Sequence, residues 1–560
     1  MAEKTFVFAI GGTGARVLRS LTMLLAAGFK DTNDHPFNGT VCPIIIDYDE
    51  HNGDKERTIE SMKRYMAVHD LVIEGKNAGL DQTLTNGKAP FFTPEIKQIL
   101  PNWSWFFEFK NDLNQKMKFR DYISYDNIGN YSRKTQDFIE CMYDTDNSSV
   151  YAELNLDMTQ GFQGNPNIGS VVFDELKNCP EFSQTFTNSF SHGDRIVVVG
   201  SIFGGTGSSG IPKIVAAVRN HARTDIANAE ISVVLVLPYF SVDTPANGAI
   251  SIKSNIFNSK TKAALAYYDA SGTNQMINNI YYVGDKVPTK VEPHIGDKDQ
   301  KNNAHIVEMV SAMSVLHVMT NSPNNNRGTK YKFNASNDIQ DGIGIDELVG
   351  TSAAQWENNK FVRNIIHGVI NFTYAIRYFL DEIVDHQARM GQRQFYKELH
   401  LDLVDKKIDS QGAIPIQDYC AALYRFICKQ KQKYEDDGYW QWLTELHAMN
   451  HGAHRLTIFN LKDGDICDLL HKKNFRKDPI YIIMDVKFNR NTPLLTYEDA
   501  FDSEMNDKLT LYRQGNKKLK NKNPVAYPWI FNHILYEMAE AIRTYRGGDS
   551  MLLERFKLVP

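Results

Sequence analysis

The sequence predicts an α/β fold in which helices cover both faces of a parallel β-sheet. Short runs rich in Val and Ile recur along the first third of the chain and beyond it, and segments with helical spacing of apolar residues lie between them. The runs are almost continuously apolar and do not alternate with polar residues. Such runs are typical of strands buried on both faces, as they are in parallel sheets flanked by helices.

Five runs have the composition of buried strands. They are residues 5–10, 41–47, 195–201, 231–237 and 279–283. Apolar residues at helical spacing predict a helix over 15–27, directly after the first strand, and a long central helix over 304–319.

A polar stretch, NSPNNNRGTK at residues 321–330, is the strongest linker signal in the chain. We therefore expect one domain over 1–320, including the central helix, and a second over 321–560. The second is expected to be a smaller α+β domain with helical additions. It would contain two β-rich runs, at 455–461 and 480–488, and a last helix at about 529–546.

Composition narrows the class of protein. The chain has 560 residues, and 62 Lys and Arg stand against 67 Asp and Glu, which gives a formal charge of −5. This balance argues against a nucleic-acid-binding protein, whose affinity would rest on a basic excess. The six cysteines form no C-x-x-C pair, and no run reaches the roughly 18 apolar residues that a transmembrane helix needs. These features predict a cytoplasmic protein with reduced thiols and no transmembrane segment.

Two glycine clusters follow predicted strands and precede predicted helices. The first consists of Gly11, Gly12, Thr13 and Gly14, and the second of Gly204, Gly205, Thr206, Gly207 and Ser208. Glycine lets backbone N–H groups approach an anion closely, and a helix start adds further donors and the positive end of its dipole. Both loops would lie at the carboxyl ends of parallel strands, where open α/β sheets bind ligands. A pair of phosphate-binding loops is therefore expected, although each cluster alone would also suit a tight turn.

Two common nucleotide motifs fit less well. A dinucleotide-binding loop has the pattern G-x-G-x-x-G, but Gly14 is followed by Ala15, Arg16 and Val17, so the third glycine is missing. The Walker A pattern G-x-x-x-x-G-K-[ST] does not occur.

The second loop, FGGTGSSG, resembles the signature G-G-G-T-G-[ST]-G of the tubulin and FtsZ superfamily. Phe203 stands in place of the first glycine, and Ser209 is an additional residue before Gly210. The longer separation of the two loops implies an insertion between residues 51 and 190. The string from Asn303 to Glu308 resembles the N-P-A-H-x-x-E helix start of divergent bacterial tubulin-like proteins, without its proline.

The resemblance implies a tubulin/FtsZ-like domain that binds GTP or GDP, a central helix and a smaller activation-type domain. The two glycine loops would wrap the diphosphate from opposite sides. Asp49 would hold a water on Mg²⁺, Arg133 would neutralise the γ-phosphate, and Asn258 and Asn303 would lie near the ribose and guanine. A turn aspartate, a surface arginine and exposed or capping asparagines are the ordinary alternatives for these residues.

The resemblance also implies that hydrolysis uses acids from a loop after the central helix, acting on the nucleotide of the next subunit. Asp338 and Asp341 come nearest to the expected N-x-D-x-x-D pattern, with Ser336 and Asn337 before them. They lie further from Asn303 than expected, so the site is displaced or the chain binds GTP without efficient hydrolysis. Asp346 and Glu347 are further candidates.

Three functions remain open from the sequence. The first is a guanine-nucleotide-binding protein that assembles with copies of itself into filaments or rings and hydrolyses GTP slowly at subunit contacts. The second is a GTP-binding switch or scaffold that joins other protein subunits without polymerising. The third is a Rossmann-type dinucleotide enzyme. A histidine set at 447, 451 and 454 and a basic segment at 513–522 are expected to be solvated surface.

Overall fold

The computed structural model describes fifteen stretches of the chain. They are residues 3–49, 52–78, 91–105, 116–128, 132–143, 153–159, 161–162, 164–242, 256–284, 289–291, 301–333, 360–379, 415–427, 438–448 and 524–545.

Eight strands form one sheet in which every pair is parallel. They are β1 (Lys4–Ile10), β2 (Thr40–Ile46), β3 (Glu95–Ile96), β4 (Ser104–Trp105), β5 (Arg195–Ser201), β6 (Ile231–Val236), β8 (Asn279–Val283) and β10 (Thr329–Phe333). Their order is β10-β8-β6-β5-β1-β2-β3, and β4 also pairs with β2. Two further strands, β7 (Phe240–Val242) and β9 (Thr289–Val291), pair with each other. The predicted parallel α/β architecture is confirmed, and all five predicted strands are present.

Helices of seven or more residues are numbered along the chain. They are α1 (Gly11–Ala27), α2 (Gly53–Asn77), α3 (Arg133–Met142), α4 (Pro166–Val172), α5 (Gly205–Arg219), α6 (Phe257–Ala270), α7 (Ile306–Thr320), α8 (Lys360–Tyr378), α9 (Pro415–Ile427), α10 (Tyr439–Ala448) and α11 (Tyr527–Tyr545).

The sheet separates two apolar cores, because successive side chains of a strand point to opposite faces. On β1, Val7 and Ala9 join the core beneath α1, α2 and α7, whereas Phe6 and Phe8 join the core beneath α4 and α5. All four side chains are fully buried. The central strands are therefore covered on both faces, which explains their continuously apolar sequences.

Helix α7 is the predicted central helix, and it is buried along most of its length. It packs between α1 and the strands β5, β6 and β8. Its two serines are accommodated because their hydroxyls donate within the helix, Ser311 to the carbonyl of Val307 at 2.7 Å and Ser314 to that of Val310 at 3.0 Å.

The chain beyond residue 320 returns to the same sheet and the same core. Strand β10 pairs with β8 in register from Thr329 opposite Asn279 to Phe333 opposite Val283. Helix α8 packs on α1, and α9 and α11 pack on α2. The apolar side chains of these helices belong to the core that α1 and α7 share. The linker predicted at 321–330 thus leads into a strand of the first sheet, and its last two residues belong to that strand. None of the described helices is long and apolar enough to cross a bilayer.

A shortened chain tests how far residues 1–320 are independent. We expect residues 1–320 alone to lack a cooperative thermal unfolding transition and to bind a dye for exposed apolar surface. The reason is that removal of β10 and of α8, α9 and α11 uncovers β8, α1 and α2. Calorimetry and dye fluorescence on the shortened and full chains measure this. A shortened chain that unfolds cooperatively without binding dye would contradict the shared core.

Candidate functional site

The strand order has a switch point between β1 and β5. From β1 the chain passes through α1 to β2 on one side, and from β5 it passes through α5 to β6 on the other. Open parallel sheets bind ligands in the crevice that forms outside the carboxyl ends of the strands at such a point. Both glycine loops lie there.

The first glycine loop forms the opening turn of α1. The helix begins at Gly11, four residues before the predicted start, and Gly11 has a φ of +69°, which favours glycine. Gly14 is required by close packing, because a Cβ there would lie 2.6 Å from the carbonyl carbon of Ala9. The first turn carries no acidic residue, and its N-cap, Ile10, makes no side-chain cap.

The second glycine loop opens α5 in the same way. Gly204 is the N-cap, no side chain caps the helix, and the first turn has no acid. A Cβ at Gly207 would lie 2.2 Å from the carbonyl oxygen of Ser201, so the helix start can pass the end of β5 only with glycine. The two loops meet, since a Cβ at Gly11 would lie 3.5 Å from Cβ of Thr206. Two uncapped helix starts therefore face one crevice, where their N–H groups and dipoles favour an anion.

Two hydroxyls at the start of α5, those of Ser208 and Ser209, are directed inward. The Ser208 hydroxyl donates to the carbonyl of Gly204, and the Ser209 hydroxyl donates to that of Gly205 at 2.7 Å. The hydroxyl of Tyr268 on α6 donates to the Ser208 carbonyl at 2.8 Å. The donors that this loop offers an anion are consequently its backbone N–H groups and the hydroxyl of Thr206, whose side chain lies beside Gly11.

A short strap, which the structure describes at residues 161–162 and 164–165, lies over the second loop. A Cβ at Gly205 would come within 3.0 Å of the backbone nitrogen of Asn165 and of Cβ of Phe162. Lys260 on α6 donates to the Gly164 carbonyl at 2.6 Å, and burial lowers the pKa of Lys260. A side chain at position 205 would thus crowd the strap, and sequence reasoning missed both the strap and Lys260.

Carboxylates lie at the end of β2. Asp49 is buried, and the Asp47 side chain accepts from the Asp49 N–H at 3.2 Å. The other oxygen of Asp47, Oδ2, is buried without a hydrogen-bond partner among the described residues. Burial raises the pKa of Asp47 to about 6. Lys55 donates to the Asp49 carbonyl at 2.5 Å, which holds this turn against the start of α2.

The side chain of Asn52 joins this turn to the first glycine loop. It caps α2 by accepting from the N–H groups of Asp54 at 2.9 Å and Lys55 at 3.1 Å. Its Nδ2 atom lies 3.3 Å from the position of a Cβ on Gly12. The predicted metal residue, Asp49, therefore lies three residues before Asn52, whose side chain reaches the first glycine loop.

Beside the crevice lies a buried set of charged side chains, which we call the charge network. It consists of Arg16, Arg19, Asp54, Arg57, Glu308 and Glu445, each of them buried. Its three positive and three negative charges balance. Burial alone would lower the pKa of Arg16. The surrounding acidic groups, of which Glu308 contributes most, together outweigh burial and hold that pKa above its usual value.

The charge network reaches the first glycine loop through Tyr239. The Tyr239 hydroxyl donates to Glu308 Oε1 at 2.8 Å and is also hydrogen-bonded to Thr13. Glu308 in turn contacts the guanidinium of Arg16. The sequence contained a signal for this network, because Arg16 and Arg19 interrupt the apolar helix α1 at positions that the other helices must cover. The acidic partners could not be assigned without the fold.

The remaining predicted site residues lie as follows. Asn303 is exposed just before α7, and Asn258 is exposed near the start of α6. Arg133 is exposed as the first residue of α3. Asp338, Asp341, Asp346 and Glu347 lie outside the described residues, as do His451, His454 and the basic segment 513–522, and the structure describes only the backbone at His447. In the part of the chain that is described, no group of three or more metal-ligating side chains occurs.

Comparison with known protein families and with curated proteins finds no match to this sequence. The chemistry of the crevice must therefore be argued from its own residues.

The Asp47 carboxyl generates a prediction about pH. Its pKa is raised from an ordinary 3.8 to about 6, so ionisation in the folded state is unfavourable. The stability that the neutral form provides is present below pH 4 and is lost as the pH rises towards 6, by up to about 3 kcal/mol. Asp47→Asn keeps an oxygen for the Asp49 N–H and cannot ionise. In chemical denaturation at pH 4 to 7.5, the free energy of unfolding of the variant should rise relative to that of the wild type as the pH increases. A constant difference would contradict the raised pKa.

Proposed function

We propose that this chain is a tubulin/FtsZ-like protein that binds a guanine nucleotide in the crevice between its two glycine loops and assembles with copies of itself. The observation that carries the proposal is the meeting of two uncapped, acid-free helix starts at the switch point, joined where Gly11 faces Thr206. One such helix start is common. Two helix starts that converge suit a diphosphate, because each of them can bind one of its negatively charged phosphate groups.

The guanine and assembly parts of the proposal rest on sequence resemblance. The sheet order is compatible with a tubulin-like fold and equally with a Rossmann-like one. The second loop, FGGTGSSG, favours the former, as does the Asn303 helix start. Asn303 is exposed beside the crevice, and its amide offers the donor and acceptor that a guanine edge can use.

The turn at the end of β2, which carries Asp47 and Asp49, suits the proposed magnesium ion. Mg²⁺ prefers oxygen ligands, keeps several waters, and is commonly held by one or two carboxylates together with substrate phosphates. Asp49 would provide that side of the coordination shell, together with Oδ2 of Asp47, which has no hydrogen-bond partner among the described residues. The ion would neutralise phosphate charge, and the raised pKa of Asp47 would fall when the ion binds.

Slow hydrolysis would need acids other than Asp47 and Asp49, which are assigned to the magnesium ion. We propose that Asp338 and Asp341, from a neighbouring subunit, orient the attacking water, with Arg133 near the γ-phosphate. A switch or scaffold without polymerisation remains the alternative function, and it would use the same crevice with other protein subunits.

Nucleotide binding is tested first. Nucleotide released from the purified protein by denaturation should be GDP or GTP, and calorimetry should show binding of GDP but not of NAD. Gly12→Val should lower the affinity for GDP by about a hundredfold, which is the equivalent of losing two charge-assisted hydrogen bonds. Gly12 suits this test because a Cβ there would meet only Nδ2 of Asn52, so the variant should fold. Unchanged GDP affinity in the folded variant would refute the crevice, and bound NAD would point to the Rossmann-type enzyme.

Assembly and hydrolysis are tested together. Light scattering should rise with protein concentration in GTP and Mg²⁺ but not in GDP, and phosphate release per subunit should rise in parallel. Asp338→Ala combined with Asp341→Ala should abolish phosphate release and leave GTP binding intact. Hydrolysis at a rate per subunit that does not depend on concentration would contradict catalysis at subunit contacts. GTP binding without scattering would favour the switch or scaffold.

A further inference from the structure

The segment Asn302–Ala304, just before α7, is held almost entirely by charged side chains of the charge network. Arg57 Nη1 donates to the Asn302 carbonyl at 3.1 Å, and Arg16 Nη2 donates to the Asn303 carbonyl at 3.0 Å. The amide nitrogen and the side chain of Asn302 both donate to Asp54, at 3.2 and 3.1 Å. The backbone of the segment is thus fixed on both sides of Asn303, while the residue Asn303 itself is exposed.

The last contact to this segment comes from a distant part of the chain. The amide of Ala304 donates to Glu445 Oε2 at 2.8 Å, and Glu445 belongs to α10, 141 residues further on. The same carboxylate accepts from Arg19 Nη1 and from Arg57 Nη2, each at 3.2 Å. Gln441 one turn earlier donates to it at 3.1 Å, and Trp442 Nε1 donates to Ser20 at 3.1 Å, which fixes α10 against α1.

We propose that Glu445 is a positioning residue for the nucleoside side of the crevice, through its hydrogen bond to the amide of Ala304. This inference rests on the proposed function, because it assigns Asn303 to the nucleoside. Glu445 does not touch the ligand. It fixes the residue that follows Asn303, so the exposed amide of Asn303 is presented in one place.

The geometry favours a positioning role over a contribution to stability alone. A buried ion pair contributes little net stability, because desolvation offsets its attraction. Arg19 illustrates this cost, since burial and the neighbouring Arg57 lower its pKa and its Nε and Nη2 atoms have no hydrogen-bond partner among the described residues. Each other contact that holds the segment comes from α1 or α2, beside the glycine loops. Glu445 is the member of the charge network through which α10 reaches the crevice.

The experiment compares two variants that differ only in one acceptor. Arg19→Met combined with Glu445→Gln removes one charge of each sign and keeps an oxygen for the amide of Ala304. Arg19→Met combined with Glu445→Leu removes the same charges and that oxygen. In both variants, Arg57 keeps its ion pair with Asp54, at 3.5 Å, and its hydrogen bond to the Asn302 carbonyl. Calorimetry with GDP and with inorganic pyrophosphate, and amide hydrogen exchange of the segment without ligand, are measured on each.

The expected result is selective. The leucine variant should bind GDP about tenfold more weakly than the glutamine variant, the equivalent of one hydrogen bond, and pyrophosphate equally well. Its Ala304 amide should exchange faster. Equal affinities for GDP in the two variants, or an equal loss for GDP and pyrophosphate, would overturn the positioning role. If the leucine variant does not fold, Glu445→Asp, which keeps the charge and shortens the reach, is subjected to the same measurements.

Failure of the proposed function gives a different pattern. If the wild type binds neither GDP nor pyrophosphate, the crevice assignment fails, and the role of Glu445 in nucleoside affinity fails with it. Hydrogen exchange then still decides whether Glu445 holds the segment: faster exchange in the leucine variant supports that contact, and equal exchange overturns it.

Discussion

The architecture around the crevice depends on the need to neutralise three arginines in an apolar interior. An unpaired charge in such a place is expensive, so each guanidinium must meet a carboxylate or a backbone carbonyl. Arg16 and Arg19 lie on α1 and Arg57 on α2, while the acids come from α2, α7 and α10. Because the partners are divided in this way, the ion pairs tie four helices, α1, α2, α7 and α10, to one another. The start of α2 and the segment before α7 then form one wall of the crevice.

The opposite wall is built by a different constraint, the close approach of backbone to backbone. At Gly14 and Gly207 the helix starts pass so near the ends of β1 and β5 that no Cβ fits. This packing brings both helix starts to the switch point, at the same edge of the sheet. The crevice therefore combines a wall ordered by ionic contacts with one ordered by sterics.

These two constraints explain what the sequence predicted and what it did not. The bounds of strands such as β5 and β8 could be predicted to the residue. Burial on both faces requires a continuous run of apolar residues, and such a run is visible in the local sequence. The sequence predicts that α1 starts at residue 15, because glycine has a low helix propensity. In the structure the helix starts at Gly11, since tertiary packing at the crevice outweighs that propensity. The return of β10 to the sheet and the pairing of Arg19 with Glu445 depend on contacts between residues about 50 and 426 positions apart, which no local pattern contains. The glycine loops could be predicted because the close approach of helix and strand backbones requires glycine, and a cluster of glycines is visible in the local sequence.

The departures of the second loop from the tubulin pattern also have a structural reason. Phe203, in place of a glycine, is buried against Phe257 and Phe240, with ring centroids 4.9 and 5.5 Å apart, so it packs under the loop. Ser209, the additional residue, turns its hydroxyl to the Gly205 carbonyl within the helix. Neither residue replaces a backbone N–H at the start of α5. The hydroxyls of Thr13 and Ser208 are also used internally, so the donors that these loops offer an anion are main-chain N–H groups and the hydroxyl of Thr206. The side chains that line the loops can then vary in sequence, provided that the glycines allowing the close approach remain.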